Sequence, residues 1–530
     1  MGCGTAQHDV IIVGAGTAGC VLAGRLSEDP SLRVALIEAG PPDSDPAIRV
    51  PAMVAKAIGN PRNGWGYVSA PQQHVDGRRL PVPRGRVLGG CSSINGMVYF
   101  RGHPREYDEW GLAGWSWQEL LPYFRRMEHY AAGTSPLRAQ GGPVSVIDIP
   151  RPNPLVKRFI EAAVAQGFPR CDDFAGLEPE GFGPRQGAIR GGRRESGVTA
   201  YLNPARGRPN LQVFTDVQVR RVLVEEGRAV GVEVERAGQL ERWEAAREVI
   251  LSAGAYGSPQ LLMLSGIGDP AQLAEHGIPL VQSSPGVGAN LQDHPASSVS
   301  WRTDDTSSYG LSWSTAPRAL GIGLQYLLAR GGPLASNVFE ANGFVRSRPG
   351  LDRPDLQIIF MPAHRNANGH WLPIGHGYGI IFVALRPFSR GSVRLASADP
   401  KAAPVIDFNF LADRRDLDVL VEGFSLARRI LGDARLAGLK GSHETVPGPG
   451  VQSREDIEAH IRRTLVTVHH PAATCRMGEV VDEQLRVVGV RGLRVVDGSV
   501  IPTVIAGNSN VPINAVAERA ADLIRGDLHG

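Results

Sequence analysis

The chain has 530 residues, more than a single hydrophobic core normally spans, so two domains are expected. With 42% hydrophobic and 21% charged residues it has the makeup of a globular protein, which excludes a disordered or fibrous chain. Its 56 basic residues nearly balance 53 acidic ones, for a net charge of +3 without a basic block, so nothing calls for nucleic acid as a partner. Five cysteines (Cys3, Cys20, Cys91, Cys171 and Cys475) form no CxxC pair and no disulfide-like spacing, which points to a reducing, cytoplasmic setting. The opening MGCGTAQHDV lacks the charged-then-apolar layout of a signal peptide. The longest apolar stretch, residues 10–24, is too short and too glycine-rich to span a bilayer. Peripheral membrane contact and oligomeric state stay open.

In chain order, the apolar run at residues 10–13 predicts a buried parallel strand. A glycine turn, a helical segment (AGCVLAGRLSED) and a second strand at 34–37 follow, about thirty residues in all, the size of a βαβ crossover. Residues 40–100 read as long loops. REVILSAGAYGSPQLLMLSGIG combines a strand at 249–252 with a helix at 258–265, and PGVGAN at 285–290 is another tight turn. From about residue 298 the stretches LQIIFMPA, GIIFVALRP, GSVRLASAD and PVIDFNFL read as strands of an antiparallel sheet. DLDVLVEGFSLARRILGD and REDIEAHIRRT have amphipathic helical spacing. The chain ends in a strand (LRVVDG) and a helix (NAVAERAADLIRG), and no internal repeat is present.

Gly14-Ala15-Gly16-Thr17-Ala18-Gly19 is a GxGxxG that follows a strand and opens a helix, and Glu38 ends the next strand. That context is what dinucleotide binding requires. Gly14 permits the turn, Gly16 admits a pyrophosphate, and Gly19 lets helix and strand pack closely. The helix N-terminus at Thr17 and Ala18 offers N–H groups to the phosphates, and Glu38 suits the ribose hydroxyls. The motif by itself does not separate FAD from NAD.

Five segments in this order resemble the glucose–methanol–choline (GMC) oxidoreductase family: the glycine turn with its surroundings, RGRVLGGCSSINGMVYFRG (84–102), GAYGSPQLLMLSGIG (254–268) with GVGANLQDHP after it, HHPAATCRMG (469–478), and LRVVDGSVIPTVIAGNSNVPINAVAERAADLI (493–524). The bacterial choline and alkanol dehydrogenases of the family look most similar. The resemblance implies an α/β fold: a Rossmann-like FAD-binding domain and a substrate domain built on an antiparallel sheet and helices. Residues 1–300 and a C-terminal return at 485–530 would form the first, and 301–484 the second. It implies FAD as cofactor, with Gly90, Ser92, Asn95, Gly96 and Val98 in the loop against the flavin. The backbone around Val219 would hold adenine, Asp497 would meet the phosphate–ribityl chain, and Asn510 would lie at the pyrimidine end. Relatives with covalently bound flavin carry a histidine where this chain has Ile94, so non-covalent FAD is expected.

Oxidising an alcohol requires a base for the hydroxyl proton while hydride leaves the same carbon, and histidine has a suitable pKa. By the same resemblance His470, directly before proline, is the catalytic histidine and Asn508 its partner, with His469 lining the substrate pocket. In a strand, adjacent histidines would point opposite ways. Asn508 also reads as a turn asparagine, and Gly-Asn-Ser-Asn favours one. Glu340 resembles a glutamate near the substrate in choline-oxidising relatives, and a surface glutamate is the alternative. His364, His370 and His376 recur every six residues without a carboxylate or cysteine at ligand spacing, so no metal is expected. The expected reaction is oxidation of a primary alcohol, with electrons passed to a quinone-like acceptor or oxygen. Choline oxidation and hydroxynitrile cleavage on the same fold are the alternatives.

Overall fold

The computed structural model describes residues 7–364 and 374–529. The N-terminal strand Gln7–Val13 lies between two parallel neighbours, Val34–Ile37 and the C-terminal half of the long strand Gln239–Leu251. Leu211–Phe214 extends the sheet beyond Val34–Ile37, and Leu493–Val495 pairs with residues 249–251, again parallel. Strands buried on both faces need continuous apolar runs. VIIV, VALI and VIL supply them, and all are buried here. The other half of Gln239–Leu251 leaves this parallel core and forms an antiparallel meander with Arg228–Arg236 and Val217–Glu225. Helix Thr17–Leu26 packs beside the C-terminal helix Asn510–His529, and Arg25 of the first grips the fully buried Glu518 of the second with two N–H bonds.

The second sheet has seven strands in the order His443–Val446, Pro295–Thr303, His376–Ala384, Leu356–Met361, Ala341–Val345 and Gly181–Pro184, with Val466–Thr467 also on Pro295–Thr303. Every pairing is antiparallel, as expected for LQIIFMPA and GIIFVALRP, whereas the other two expected strands, Ser392–Arg394 and Val405–Asp407, pair antiparallel with each other in a separate two-stranded sheet. Helix Arg414–Leu431 covers it and packs Phe424 edge-on against Phe382. Each sheet has its own buried apolar cluster.

The sheets do not respect the boundaries at 300 and 485. Strand Gly181–Pro184, from inside the first segment, is an edge strand of the substrate sheet, and Met477, Val480 and Val481 already belong to the first core. Sheet edges recruit strands by hydrogen bonding, irrespective of sequence distance. The helix expected at 258–265 begins earlier, as Gly254–Leu264. The region 40–100 is mostly irregular, with short helical turns such as Val54–Gly59 and two-residue strands. Among the described residues no helix is long and apolar enough to cross a membrane.

Candidate active site at the junction of the two sheets

The glycine turn has the shape its sequence implies. Gly14 takes φ +99°, and a Cβ there would lie 2.5 Å from the Ser252 carbonyl oxygen, so no other residue fits. Helix Thr17–Leu26 starts at Gly16 with no side-chain cap and no acidic residue in its first turn, which leaves its N–H groups and positive dipole end for an anion. Glu38 is buried and accepts from the N–H groups of Ala15 and Gly40, and burial raises its pKa to about 7.

The loop at 89–96 crosses this turn so closely that a Cβ on Gly90 would lie 2.7 Å from the Gly16 Cα. Its shape is held from inside. Ser92 bonds the Gly89 carbonyl and the Gly197 N–H, and Asn95 Oδ1 accepts from Met97 N. The Gly96 carbonyl accepts from Asn337, and Arg194 donates to the carbonyls of Ile48, Ser92 and Asn95 and to Asn95 Oδ1. Val98 begins the short strand Val98–Tyr99 that continues from the loop. Asn510, at the start of the last helix, donates to the Thr17 hydroxyl and so joins the C-terminal segment to the turn. Asp497 is buried and accepts from Ser258, Gly254 N and Ser499 N. Val219 is buried in strand Val217–Glu225. Ser252, beside the turn, carries a buried hydroxyl without a partner among the described residues. Uncapped helix, buried acid and closely approaching loop backbone together fit a dinucleotide of the FAD type. Ile94 packs among Ala47, Ile48, Ala57 and Val87.

The predicted catalytic pair meets at the other end of this region. His470 follows strand Val466–Thr467, which pairs with Pro295–Thr303 at Thr467↔Pro295, so His294, one residue before that strand, is brought to the same place. Asn508 enters from the first domain, just ahead of helix Asn510–His529. Its Nδ2 lies 3.1 Å from His470 Nε2, and its Oδ1 accepts from Arg185 at 3.1 Å. Arg185 occupies the joint between strands Gly181–Pro184 and Gln186–Arg190.

These contacts determine the proton positions. A guanidinium only donates, so the oxygen of Asn508 faces Arg185 and its NH₂ faces His470. The NH₂ in turn needs an acceptor, so His470 Nε2 is unprotonated and the proton resides on Nδ1. His470 Nδ1 lies 3.1 Å from His294 Nδ1, which must then accept and carry its own proton on Nε2. Burial, together with His294, His469, Arg84 and Arg185 nearby, holds His470 well below the ordinary histidine pKa, and burial pushes His294 down to about 4. Both rings are therefore neutral at pH 7, and the His470 Nε2 lone pair accepts from the Asn508 amide. Asn508 is thus more than a turn former.

Sequence reasoning missed four residues that hold this arrangement, His294 among them. Asp293 accepts from the backbone N–H groups of His294 and His470 and from the Thr467 hydroxyl, clamping the two histidine loops together. Gln292 exchanges backbone bonds with Ala472 and accepts from Val504 N, which ties in the Asn508 segment. Arg185 was invisible. The available signal was the acid–histidine pair directly before Pro295.

One expectation needs correction, and one alternative reading is ruled out. His469 and His470 are not in a strand: Val466–Thr467 ends earlier, and His469 takes a left-handed φ of +68°. The simple alternation therefore does not apply. His469 is anchored by its backbone, with its carbonyl accepting from Arg84 and its N–H donating to Thr467. Glu340 is not a surface residue. It is fully buried, with one oxygen accepting from Tyr309 and Ser336 and the other from Asn153 N. Its neighbour Phe339 lies against Gly96 of the loop. Of the three spaced histidines, His370 lies outside the described residues, and both ring nitrogens of His376 face serine hydroxyls, on Ser308 and Ser312.

Comparison with known proteins agrees with this geometry. Residues 8–296 and 387–517 match the two family models described as GMC oxidoreductase. The chain belongs to the GMC oxidoreductase family. It is 44% identical to an oxygen-dependent choline dehydrogenase of Rhizobium johnstonii, over 98% of this chain and 96% of that protein. It is 43% identical, with the same coverage, to an alcohol dehydrogenase [acceptor] of Pseudomonas putida. Among solved structures, a pyridoxine 4-oxidase from Mesorbium loti superposes with a TM-score of 0.88 at 32% identity, covering 99% of both chains. As a GMC oxidoreductase the chain is an FAD-dependent enzyme acting on the CH–OH group of alcohols.

Proposed function

We propose that this GMC oxidoreductase converts a primary alcohol to the aldehyde, with His470 as the base, and that it holds FAD without a covalent bond. The observation that carries the reading is the neutral His470 Nε2 lone pair beside the Asn508 amide. A substrate hydroxyl that replaces the direct Asn508–His470 hydrogen bond would donate its proton to Nε2 and accept from Nδ2 of Asn508. Bound FAD supplies the acceptor for the carbinol hydride. When His470 takes the proton, the Nδ1–H of its imidazolium already donates to neutral His294, so the new charge is stabilised without rearrangement. The cationic surroundings that depress the His470 pKa also favour a developing alkoxide.

For the cofactor, Gly14, Gly16, Thr17 and Ala18 would take the pyrophosphate, Glu38 the ribose and the backbone at Val219 the adenine. Gly90, Ser92, Asn95, Gly96 and Val98 would line the flavin, with Asp497 at the ribityl chain and Asn510 at the pyrimidine end. His469 would wall the substrate pocket. Ile94 offers no nitrogen for a covalent link.

Electrons would pass to oxygen or a quinone-like acceptor, in the cytoplasm. Peripheral contact with a membrane is favoured by helix Ala316–Ala329. Leu320, Leu324, Leu327 and Leu328 form an exposed i, i+4, i+7, i+8 stripe on it, with Trp313 97% exposed just ahead. Residues 307–332 contain Arg318 and Arg330 and no carboxylate, a combination suited to an anionic lipid surface. Choline as substrate, the activity in the Rhizobium relative's name, is less favoured, because both oxygens of Glu340 are already engaged.

The test is anaerobic addition of alcohol to purified enzyme. Bleaching of the flavin absorbance with aldehyde formed in equal amount supports oxidation. Cleavage of a hydroxynitrile without bleaching would overturn it in favour of lyase chemistry.

A further inference from the structure

Six arginines are buried among the described residues: Arg101, Arg138, Arg185, Arg194, Arg353 and Arg494. Four of them face carboxylates: Arg101 and Arg138 on Glu128, Arg353 on Glu109, and Arg494 on Glu248. Arg194 has no carboxylate but donates to three oxygens of the loop it pins and to the Ile48 carbonyl. Arg185 has neither. Among the described residues its one side-chain partner is the neutral oxygen of Asn508, and its buried Nε has no acceptor. A guanidinium has five N–H donors, and a buried charge without a partner costs several kcal/mol.

The neighbouring acids do not relieve it. The carboxylate of Glu340 is turned to Tyr309, Ser336 and Asn153, although its backbone carbonyl accepts from Arg185 N. Both oxygens of Asp293 are taken by the histidine loops. The groups nearest the base are neutral His294 and His469 and cationic Arg84. The missing negative charge is left for a ligand.

We infer that Arg185 is an anion subsite of the substrate pocket and that the preferred alcohols carry a carboxylate a few bonds from the hydroxyl. This rests on the alcohol-oxidation reading above and names its substrate class. The spacing follows from the chain Arg185–Asn508–His470, in which two hydrogen bonds of 3.1 Å separate the guanidinium from the base nitrogen. A short hydroxy acid spans that distance, with its hydroxyl at Nε2 and its carboxylate at Arg185. A quaternary ammonium alcohol would instead place a cation beside a cation.

The experiment compares 4-hydroxybutanoate, 4-hydroxybutanamide and choline as reductants of the holoenzyme, in wild type and in Arg185→Gln, which keeps an N–H for Asn508 while removing the charge. Butanoate, which has no hydroxyl to oxidise, is titrated separately and followed by the shift of the flavin spectrum. Wild type is expected to prefer the hydroxy acid over the amide by kcat/KM, with choline last. Arg185→Gln should shrink the acid-to-amide ratio by about 10–100-fold, the worth of a charge-assisted hydrogen bond, and should weaken butanoate similarly. Equal losses on acid and amide would mean that Arg185 only orients Asn508, which overturns the proposal. A wild-type preference for amide or choline overturns it as well. If no alcohol bleaches the flavin, the oxidation reading fails, yet butanoate binding that depends on Arg185 still supports the subsite. Absence of butanoate binding to wild type refutes it.

Discussion

Replacing His294 tests the proton arrangement around the base most directly. In the wild type, the Nδ1–H of His470 donates to His294 Nδ1 at 3.1 Å, and Asn508 occupies the other side of the ring. His294→Leu fills a similar volume but leaves that buried N–H without an acceptor, which costs about 1–3 kcal/mol. The cost rises toward the upper end when His470 becomes imidazolium, because a charged donor loses more. It can be escaped by moving the proton to Nε2, but that tautomer places two donors face to face at Asn508 and removes the base lone pair. Only the extra cost in the imidazolium slows the step, about 1–1.5 kcal/mol, so at about 1.4 kcal/mol per tenfold in rate flavin reduction should slow by about 5–13-fold. The substrate concentration for half-saturation should change little. His294→Gln, with a carbonyl oxygen as acceptor, should recover most of the loss. The assay is anaerobic stopped-flow reduction by one good alcohol, after FAD content and melting temperature have been matched. A His294→Leu enzyme within about twofold of wild type would refute the tautomer assignment, since such a change is below the smallest extra cost expected in the imidazolium.

His470→Ala should slow flavin reduction by about two to four powers of ten with FAD retained, the usual worth of a positioned base, whereas His469→Ala should cost far less. The reverse order, measured in the same stopped-flow experiment, would move the base by one residue. Because burial and nearby positive charge hold the His470 pKa down, the base stays deprotonated as pH falls through 6.5. The reduction rate should therefore stay level there and decline only at lower pH, and an acid limb centred at 6.5 or above would contradict this. Acid precipitation should leave yellow FAD in the supernatant, and flavin retained in the pellet would reveal a covalent bond despite Ile94. Glu340→Gln puts an amide NH₂ against a site built from donors, so the denaturant midpoint should fall by the equivalent of about 1–3 kcal/mol while activity on neutral alcohols persists. An unchanged midpoint would show that these contacts contribute nothing to stability.

Local pattern was enough to place the glycine turn between two buried strands, to make Glu38 the end of the second, and to predict an antiparallel character after residue 298. These features depend on hydrogen bonding and side-chain alternation over a few residues, which a short window of sequence contains. The family resemblance added His470 and Asn508 as a pair. Their contact, and everything that sets the chemistry of that contact, came from tertiary structure. Arg185 and Asn508 are 323 positions apart, and His294 and His470 are 176 apart. They meet because strand Gly181–Pro184 joins the edge of a sheet formed mostly by later residues, and because Pro295 pairs with Thr467. The same is true of Glu340, whose burial depends on Tyr309, Ser336 and Asn153 closing around it. A histidine's residue type does not determine which of its nitrogens bears the proton. That is decided by the donor on one side and the acceptor on the other, and here both are supplied by distant parts of the chain.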